Sequence, residues 1–232
     1  MRRPTLLAVA HGTRDPRGVA LVGELRALVA TLRPELEVRL SWLDHAEPTV
    51  RALAAVADHP LVAVPLLLST GFHVRSDISK AMAAATVDVT IAHRLGPHPL
   101  LVEALADRLA EAGWTGGQAH LVLAAAGSSL PAARIDVDEV AAMVSMRYGL
   151  PVTVAFAAAE PDVDTVVTAL RAAGDAPVVV VNYLLTLGQF ADRVAACGAD
   201  VVAAPLGAHP AVARLVLERY DAALRDQAVT TP

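Results

Sequence analysis

His11 and His73 are the side chains of this sequence best suited to chemistry. Each follows an apolar run and stands in a short polar segment, Ala10-His11-Gly12-Thr13 in one case and Ser69-Thr70-Gly71-Phe72-His73 in the other. A neutral imidazole binds first-row metal ions and accepts a proton near pH 7. Two imidazoles in one pocket could therefore hold a labile metal ion, accept protons, or do both.

The elements that must position these histidines follow an α/β pattern. Apolar, β-branched runs alternate with Ala- and Leu-rich segments of helical period, which predicts parallel sheets covered by helices on both faces. Helices are expected between the strands. The predicted strands lie near residues 5–10, 36–42, 61–66, 87–92, 119–125, 151–157, 177–182 and 199–204.

The second four strands repeat the first four. Landmarks of the first half recur in the same order, which is hard to obtain by chance. The pairs are Gly12 and Gly127, Glu47 and Glu160, Pro60 and Pro177, Gly71 and Gly188, and Gly96 and Gly207. The turn-rich segment 113–117 is the natural boundary. The sequence therefore predicts an internal duplication with halves 1–115 and 116–232, each containing a four-stranded parallel sheet flanked by helices.

A duplication provides an internal control, because features shared by both halves are expected to serve the fold. His98 in the first half corresponds to His209 in the second, and each directly precedes a proline that can begin a helix. We therefore interpret both histidines as structural. His59, His93 and His120 have no polar partner nearby in sequence and are interpreted as ordinary surface or core residues.

His11 and His73 differ from the other histidines because the second half replaces them. Their counterparts are Ala126 and Phe190, neither of which can bind a metal ion or accept a proton. The sequence therefore predicts one asymmetric site, carried by the half 1–115, with the half 116–232 as a degenerate repeat.

Strand order decides whether the two histidines can meet. Ligands of open parallel sheets bind beyond the carboxyl ends of the strands. In the common doubly wound order 2-1-3, the loops after the first three strands are neighbours, which would bring His11, His73 and Glu47 together. Two imidazoles and a carboxylate suit Fe, Co, Ni or Zn and leave coordination positions open.

Glu47 has two competing roles among these three candidates. Glu160 matches it in the half without the histidines, so a role at a helix N-terminus competes with metal binding. Asp44 and His45 are rival ligands in the same loop.

Composition narrows the function classes. A net charge of −5 without a basic cluster argues against nucleic-acid binding, and the apolar runs are too short to span a membrane. The single cysteine, Cys197, fits a reducing compartment, so we expect a cytoplasmic protein whose apolar start is a strand rather than a signal peptide. Lys80 is the only lysine, and Walker A, Gly-x-Gly-x-x-Gly and Gly-x-Ser-x-Gly motifs are absent. We therefore expect chemistry without ATP and without an organic cofactor.

Two segments resemble the signatures of a known enzyme family. Ala10-His11-Gly12-Thr13-Arg14-Asp15 and the segment from Pro65 to Ile78 are similar to those of the class II sirohydrochlorin chelatases of the CbiX and SirB type. The resemblance covers both halves and fits the long, internally duplicated form. Thr13 stands where a serine is more usual, and Ser79 where a proline often occurs.

The resemblance implies a lyase-class metal chelatase with two flavodoxin-like, chelatase-type halves. Such an enzyme inserts Fe²⁺ for sirohaem, or Co²⁺ for cobalamin biosynthesis, into sirohydrochlorin without ATP; Ni²⁺ is a further possible metal. It maps the family's catalytic and metal-binding histidines onto His11 and His73, and the family's acidic partner onto Glu47. The second half would form the other wall of a cleft for the tetrapyrrole, in a monomer or a homodimer.

The substrate's carboxylates require cationic or polar groups nearby, and we expect Arg14, Arg17, Arg75 and Thr13 to supply them.

Two alternative functions stay open from the residues alone. The chain could be a non-catalytic carrier of a divalent metal, or a small-molecule binding module without metal chemistry.

Overall fold

The computed structural model of the protein describes residues 3–71 and 74–230. The eight predicted strands are all present, and the outer strands of each sheet are shorter than predicted. The strands are β1 (Thr5–Ala10), β2 (Val38–Trp42), β3 (Leu61–Pro65), β4 (Val89–Ile91), β5 (His120–Ala125), β6 (Val152–Phe156), β7 (Val178–Tyr183) and β8 (Val201–Val202). The helices are α1 (Pro16–Leu32), α2 (Val50–Ala55), α3 (Val74–Met82), α4 (Pro99–Glu111), α5 (Pro131–Tyr148), α6 (Val163–Ala173), α7 (Gln189–Ala195) and α8 (Pro210–Thr230).

The strands form two parallel four-stranded sheets with the same topology. Their orders are β2-β1-β3-β4 and β6-β5-β7-β8, so the predicted order 2-1-3 is confirmed. In the first sheet Ala8 lies opposite Leu40 and Val64. The loops that follow β1, β2 and β3 therefore leave the same edge of the sheet side by side.

Burial explains the sequence pattern of the strands. Every residue of β1, β3 and β7 is buried, because helices cover both faces of each sheet, and these strands read as continuous apolar runs. The edge strands β4 and β8 are only half-buried. Among the described residues, no helix is both long and apolar enough to cross a membrane.

His98 and His209 cap helices, which confirms their structural interpretation. The backbone N–H of Leu100 donates to Nδ1 of His98 at 3.3 Å, and that of Ala211 donates to Nδ1 of His209 at 3.1 Å. Each imidazole thus satisfies one of the N–H groups that the first turn of a helix leaves without a partner.

The compact units of the structure differ from the predicted halves 1–115 and 116–232. The first unit comprises the residues up to Leu95 together with those from Ala208 onward, and the second spans Gly96–Gly207. Each half of the repeat therefore gives its last helix to the other unit. The physical reason is that an apolar helix face requires a sheet to cover, but its pattern does not specify which sheet.

Helix α8 is tied into the first unit by polar contacts as well as by its apolar face. The hydroxyl of the fully buried Tyr220 donates to the Pro4 carbonyl at 2.6 Å. Arg33, next to α1, donates two hydrogen bonds to the carboxylate of Asp221, at 2.6 and 2.8 Å. These bonds join the two ends of the sequence within one unit.

Helix α4 occupies the matching position in the second unit. It packs against α5 and β7 through a buried apolar face that includes Leu101, Leu105 and Leu109. Arg108 reinforces this position by donating from Nε and Nη2 to the Leu206 carbonyl, at 3.1 and 2.9 Å.

Candidate functional site

His11 lies where the sequence places it, directly after β1 at the carboxyl edge of the first sheet, and its side chain is exposed. Gly12 follows with a φ of +123°, a backbone conformation that residues other than glycine rarely adopt. A Cβ atom on Gly12 would lie 1.8 Å from the carbonyl oxygen of Asp44. The glycine therefore allows the loop after β1 to touch the loop after β2.

Backbone hydrogen bonds hold these two loops together. The N–H of Leu43 donates to the Ala10 carbonyl, and the N–H of Asp44 donates to the His11 carbonyl, both at 2.9 Å. The pairing of the first two loops, on which the site prediction depends, is present in the structure.

The second unit builds the same pair of loops with different side chains. Gly127 has φ of +102°, and the N–H of Ala158 donates to the Ala126 carbonyl at 2.9 Å. This bond matches the one between Asp44 and His11. The backbone of the two loops is therefore common to both units, whereas the second unit has Ala126 and Ala158 at the positions of His11 and Asp44.

Asp44 and His45, the rival ligands, interact with each other. The backbone N–H of His45 donates to Oδ1 of Asp44 at 2.8 Å, and its Nε2 lies 3.2 Å from Oδ2. His45 has φ of +62°, which is uncommon outside glycine. Both side chains are exposed beside His11.

Glu47 has a role in the fold that both units share. Its Oε2 accepts a hydrogen bond from the Thr49 N–H at 2.8 Å, and Thr49 caps α2. In the second unit Oε2 of Glu160 accepts from the Asp162 N–H at 3.2 Å, and Asp162 caps α6. Both carboxylates hold the turn that precedes a helix, which is the fold role that the sequence leaves open for Glu47.

His73 lies outside the described residues, and so does the side chain of Arg75. The described chain stops at Gly71 and resumes with α3. Within residues 3–71 and 74–230, no group of three or more His, Cys, Asp and Glu side chains is arranged to hold a metal ion. The proximity of His73 to His11 therefore remains a prediction.

The predicted substrate-binding residues of the first loop differ in how much they are used by the fold. The hydroxyl of Thr13 accepts from the Asp15 N–H at 3.1 Å, and Ser128 accepts from the Leu130 N–H at 3.2 Å in the second unit, so this hydroxyl serves the fold. Arg14 is exposed.

Arg17 is engaged by the N-terminal cap of α1. Its Nε lies 3.1 Å from both carboxylate oxygens of Asp15. The side-chain hydrogen bond from Arg17 lowers the pKa of Asp15, against a smaller desolvation effect. Substrate binding by Arg17 would compete with this local pair and remains a prediction.

An arginine links the loops at the corresponding edge of the second unit. Nη1 of Arg193 donates to the Ala157 carbonyl at 2.7 Å, and the same guanidinium pairs with Asp162 and Asp164. The counterpart of His73, Phe190, is 44% exposed. These side chains can fix loops but offer no imidazole for metal chemistry.

His93 and Arg94 were not selected by the sequence analysis. They follow β4 at the same edge of the first sheet and line a pocket beside residues 69–71. The signal that could have found them is the duplication itself. The offset that pairs Gly96 with Gly207 pairs His93 with Ala204 and Arg94 with Pro205. The second half therefore has neither the imidazole nor the positive charge at these two positions.

Comparisons with known proteins agree with the fold and the duplication. The profile of the CbiX family matches the chain twice, over residues 5–112 and 120–223. A sirohydrochlorin cobaltochelatase from Methanococcoides burtonii is 30% identical over an alignment of 125 positions, which covers 46% of this chain and 94% of that protein. That relative is therefore about half as long as this chain.

Two solved structures cover almost the whole chain. SirB from Bacillus subtilis with Fe³⁺ is 23% identical, with a TM-score of 0.81 and 98% of each chain covered. A structure described as CbiX, the terminal enzyme for biosynthesis of sirohaem in denitrifying bacteria, is 26% identical, with a TM-score of 0.71 and coverage of 94% of this chain and 99% of that one. Because the family profile matches nearly all of both halves, this chain belongs to the CbiX family.

Proposed function

We propose that this protein is a sirohydrochlorin chelatase, a lyase that inserts Fe²⁺ or Co²⁺ into the tetrapyrrole without ATP. The observation that carries the proposal is the asymmetry of a duplicated scaffold. Both units build the same glycine-containing contact between two loops, and only the first places His11 and Asp44 on it. The names of the relatives, which include a sirohydrochlorin cobaltochelatase and a terminal enzyme of sirohaem biosynthesis, support the substrate.

The chemistry requires two tasks that an imidazole can perform. The metal ion must lose part of its water shell, and the macrocycle must lose two pyrrole N–H protons. The exposed His11 can bind the incoming metal ion or accept a proton, and His73 would share these tasks. The metal ion is a substrate, and we infer no organic cofactor. A cytoplasmic location is supported by the single, buried cysteine.

We assign the carboxylate ligand to Asp44 rather than Glu47. Asp44 is joined to His11 by a backbone hydrogen bond of 2.9 Å, and its counterpart is an alanine. Glu47 holds the turn before α2, as Glu160 does before α6. His45, in contact with the Asp44 carboxylate, can orient it towards a metal ion.

The decisive experiment is anaerobic metal insertion. Purified protein is given sirohydrochlorin with Fe²⁺, Co²⁺ or Ni²⁺, and initial rates are followed by absorption spectroscopy. We expect insertion of Fe²⁺ or Co²⁺ at rates well above the protein-free reaction. A protein that binds the metal ion without accelerating insertion would be a carrier, and the proposal would be wrong.

Matched variants in the two units test the site. His11→Ala is expected to lower kcat about 100-fold or more, the typical contribution of a general base. Phe190→Ala, at the second-half counterpart of His73, should retain activity within about threefold because the second unit has alanine at the positions of both His11 and Asp44. Equal losses in the two variants would refute the asymmetry.

The carboxylate assignment is tested with a second pair of variants. Asp44→Asn should weaken Co²⁺ binding, measured by calorimetric titration, about tenfold because a charged ligand is lost. Glu47→Gln and Glu160→Gln should leave Co²⁺ binding unchanged and lower Tm by a similar amount. Weaker Co²⁺ binding by Glu47→Gln than by Asp44→Asn would return the ligand role to Glu47.

A further inference from the structure

A pocket of about 250 Å³ lies within the first unit at the carboxyl ends of β3 and β4. Part of its lining is apolar and comes from Pro65, Ile78 and Ile91. A water molecule takes up about 30 Å³ in the liquid, so the pocket can hold a group of several non-hydrogen atoms. Apolar walls of this kind suit a short methylene chain.

The polar part of the lining is cationic or neutral. Ser69, Thr70, His93 and Arg94 contribute it, and no acidic residue is among the described residues that line the pocket. A guanidinium beside hydroxyl and imidazole groups is a donor set for a carboxylate. The pocket therefore suits a short aliphatic chain that ends in an acid.

The backbone establishes that the imidazole and the guanidinium of this donor set have no counterpart in the second unit. The Leu95 N–H donates to the Leu67 carbonyl at 3.0 Å, and the Leu206 N–H donates to the Leu184 carbonyl at 2.9 Å, which aligns the two segments after β4 and β8. Counting back from these bonds pairs His93 with Ala204 and Arg94 with Pro205. The asymmetry that marks His11 thus extends to this pocket.

A second arginine increases the positive charge next to the pocket. Arg219 on α8 donates to the carbonyl of Leu95, the residue after Arg94, at 2.9 Å. Burial lowers the pKa of Arg219 most, the neighbouring Glu218 raises it, and the charge of Arg94 lowers it further. Arg219 thus brings a second positive charge next to the residue that follows Arg94, and both charges would attract an anion bound at Arg94.

We propose that this pocket is a carboxylate subsite, in which Arg94 and His93 bind one short acid side chain of the tetrapyrrole while the apolar walls take its methylene groups. The assignment rests on the proposed function. Residues 69–71, which contribute to the pocket, lead directly to His73 in the sequence. Anchoring an acid side chain here would fix the macrocycle relative to the predicted metal-handling residues.

Kinetics of the purified enzyme test the subsite. Arg94→Gln should raise the KM for sirohydrochlorin about tenfold, because one charge-assisted hydrogen bond is lost. His93→Gln should raise the KM for sirohydrochlorin only about threefold, because the side chain of His93 is exposed. For both variants kcat should change less than threefold, and Co²⁺ affinity measured without tetrapyrrole should be unchanged. Arg147→Gln, on an exposed arginine of α5, is the matched control.

The outcomes separate this inference from the proposed function. Unchanged KM in both folded variants, or a loss of Co²⁺ affinity equal to the loss of sirohydrochlorin affinity, would overturn the subsite. Binding of metal-free sirohydrochlorin, followed by absorption titration, gives the same comparison without turnover. If the wild-type protein binds sirohydrochlorin but inserts no metal, the proposed function fails, and a weaker Kd for Arg94→Gln would still support the subsite.

Discussion

Replacing Gly12 by alanine tests whether the contact between the first two loops serves chemistry. The added Cβ atom would lie 1.8 Å from the Asp44 carbonyl oxygen, whereas real contacts of this kind are essentially never shorter than 3.0 Å. The two loops must therefore separate by about 1.2 Å, because the obstacle is backbone rather than a flexible side chain. This displacement moves Asp44, whose backbone N–H donates to the His11 carbonyl.

Gly127→Ala is the matched control in the second unit. Its added Cβ atom would lie 2.8 Å from the Cβ of Ala159, so only about 0.2 Å of relief is required to reach 3.0 Å. Both glycines have positive φ outside the left-handed helical region, where an alanine costs about 1–3 kcal/mol. That cost corresponds to a Tm decrease of about 2–12 °C for a chain of this length. Gly12→Ala should decrease Tm somewhat more.

Activity should separate the two variants where Tm does not. A misplacement of about 1 Å at a reacting group can cost about 100-fold in rate, so Gly12→Ala should lower kcat/KM for Co²⁺ insertion by about that factor. Gly127→Ala should stay within about threefold of the wild type at a temperature where both variants are folded. Equal kcat/KM losses in two folded variants would refute the assignment of chemistry to the first unit.

Three further predictions concern stability and reactivity. Arg33 donates the hydrogen bonds that chiefly lower the pKa of Asp221 below its ordinary 3.8, so this carboxylate stabilises the fold above that pH and ceases to do so as pH falls through the folded-state pKa. Asp221→Asn should lower Tm at pH 7 by about 2–4 °C, which corresponds to a cost of about 1 kcal/mol. The Tm difference between the wild type and this variant, measured by scanning calorimetry, should disappear as the pH is lowered well below 4. A Tm difference that does not change with pH would contradict the ion pair. Burial raises the pKa of the Cys197 thiol, so alkylation by iodoacetamide at pH 7.5 should be slow in native protein and fast in urea, and rapid native labelling would contradict its burial. Residues 1–115 expressed alone lack α8 and should show the broad, non-cooperative unfolding of an incomplete core, whereas a sharp transition would mean that α4 can replace α8.

The fold was largely predictable because each strand has a local signature. Continuous apolar runs such as β1 and β7 are buried on both faces, and their short length and β-branched residues distinguish them from buried helices. The exchange of α4 and α8 was not predictable in the same way. Both helices follow similar turns with a capping histidine, and their apolar patterns do not specify which sheet each one covers. The choice depends on contacts distant in sequence, such as that between Tyr220 and Pro4.

The site was predictable to the extent that side chains had been replaced between the halves. His11 was found because Ala126 stands in its place, and the duplication also indicated that Glu47 could serve the fold. Asp44 was expected only as a rival ligand in the same loop as Glu47. The loop before Glu160 is one residue shorter, so only the backbone hydrogen bond from Ala158 to Ala126 establishes which residue corresponds to Asp44. Register after an insertion or deletion is a property of hydrogen bonding, which residue patterns alone do not determine.

The second unit also shows how variants of the first should be interpreted. Its loops keep the glycine, the backbone hydrogen bond and the turn-holding glutamate, and they have alanine where the first unit has His11 and Asp44. Both of those side chains are exposed, so removing them buries no polar group and opens no cavity. Alanine at either position should therefore cost the fold little. A loss of activity in His11→Ala can then be attributed to the missing imidazole, because the protein already contains a folded loop without it.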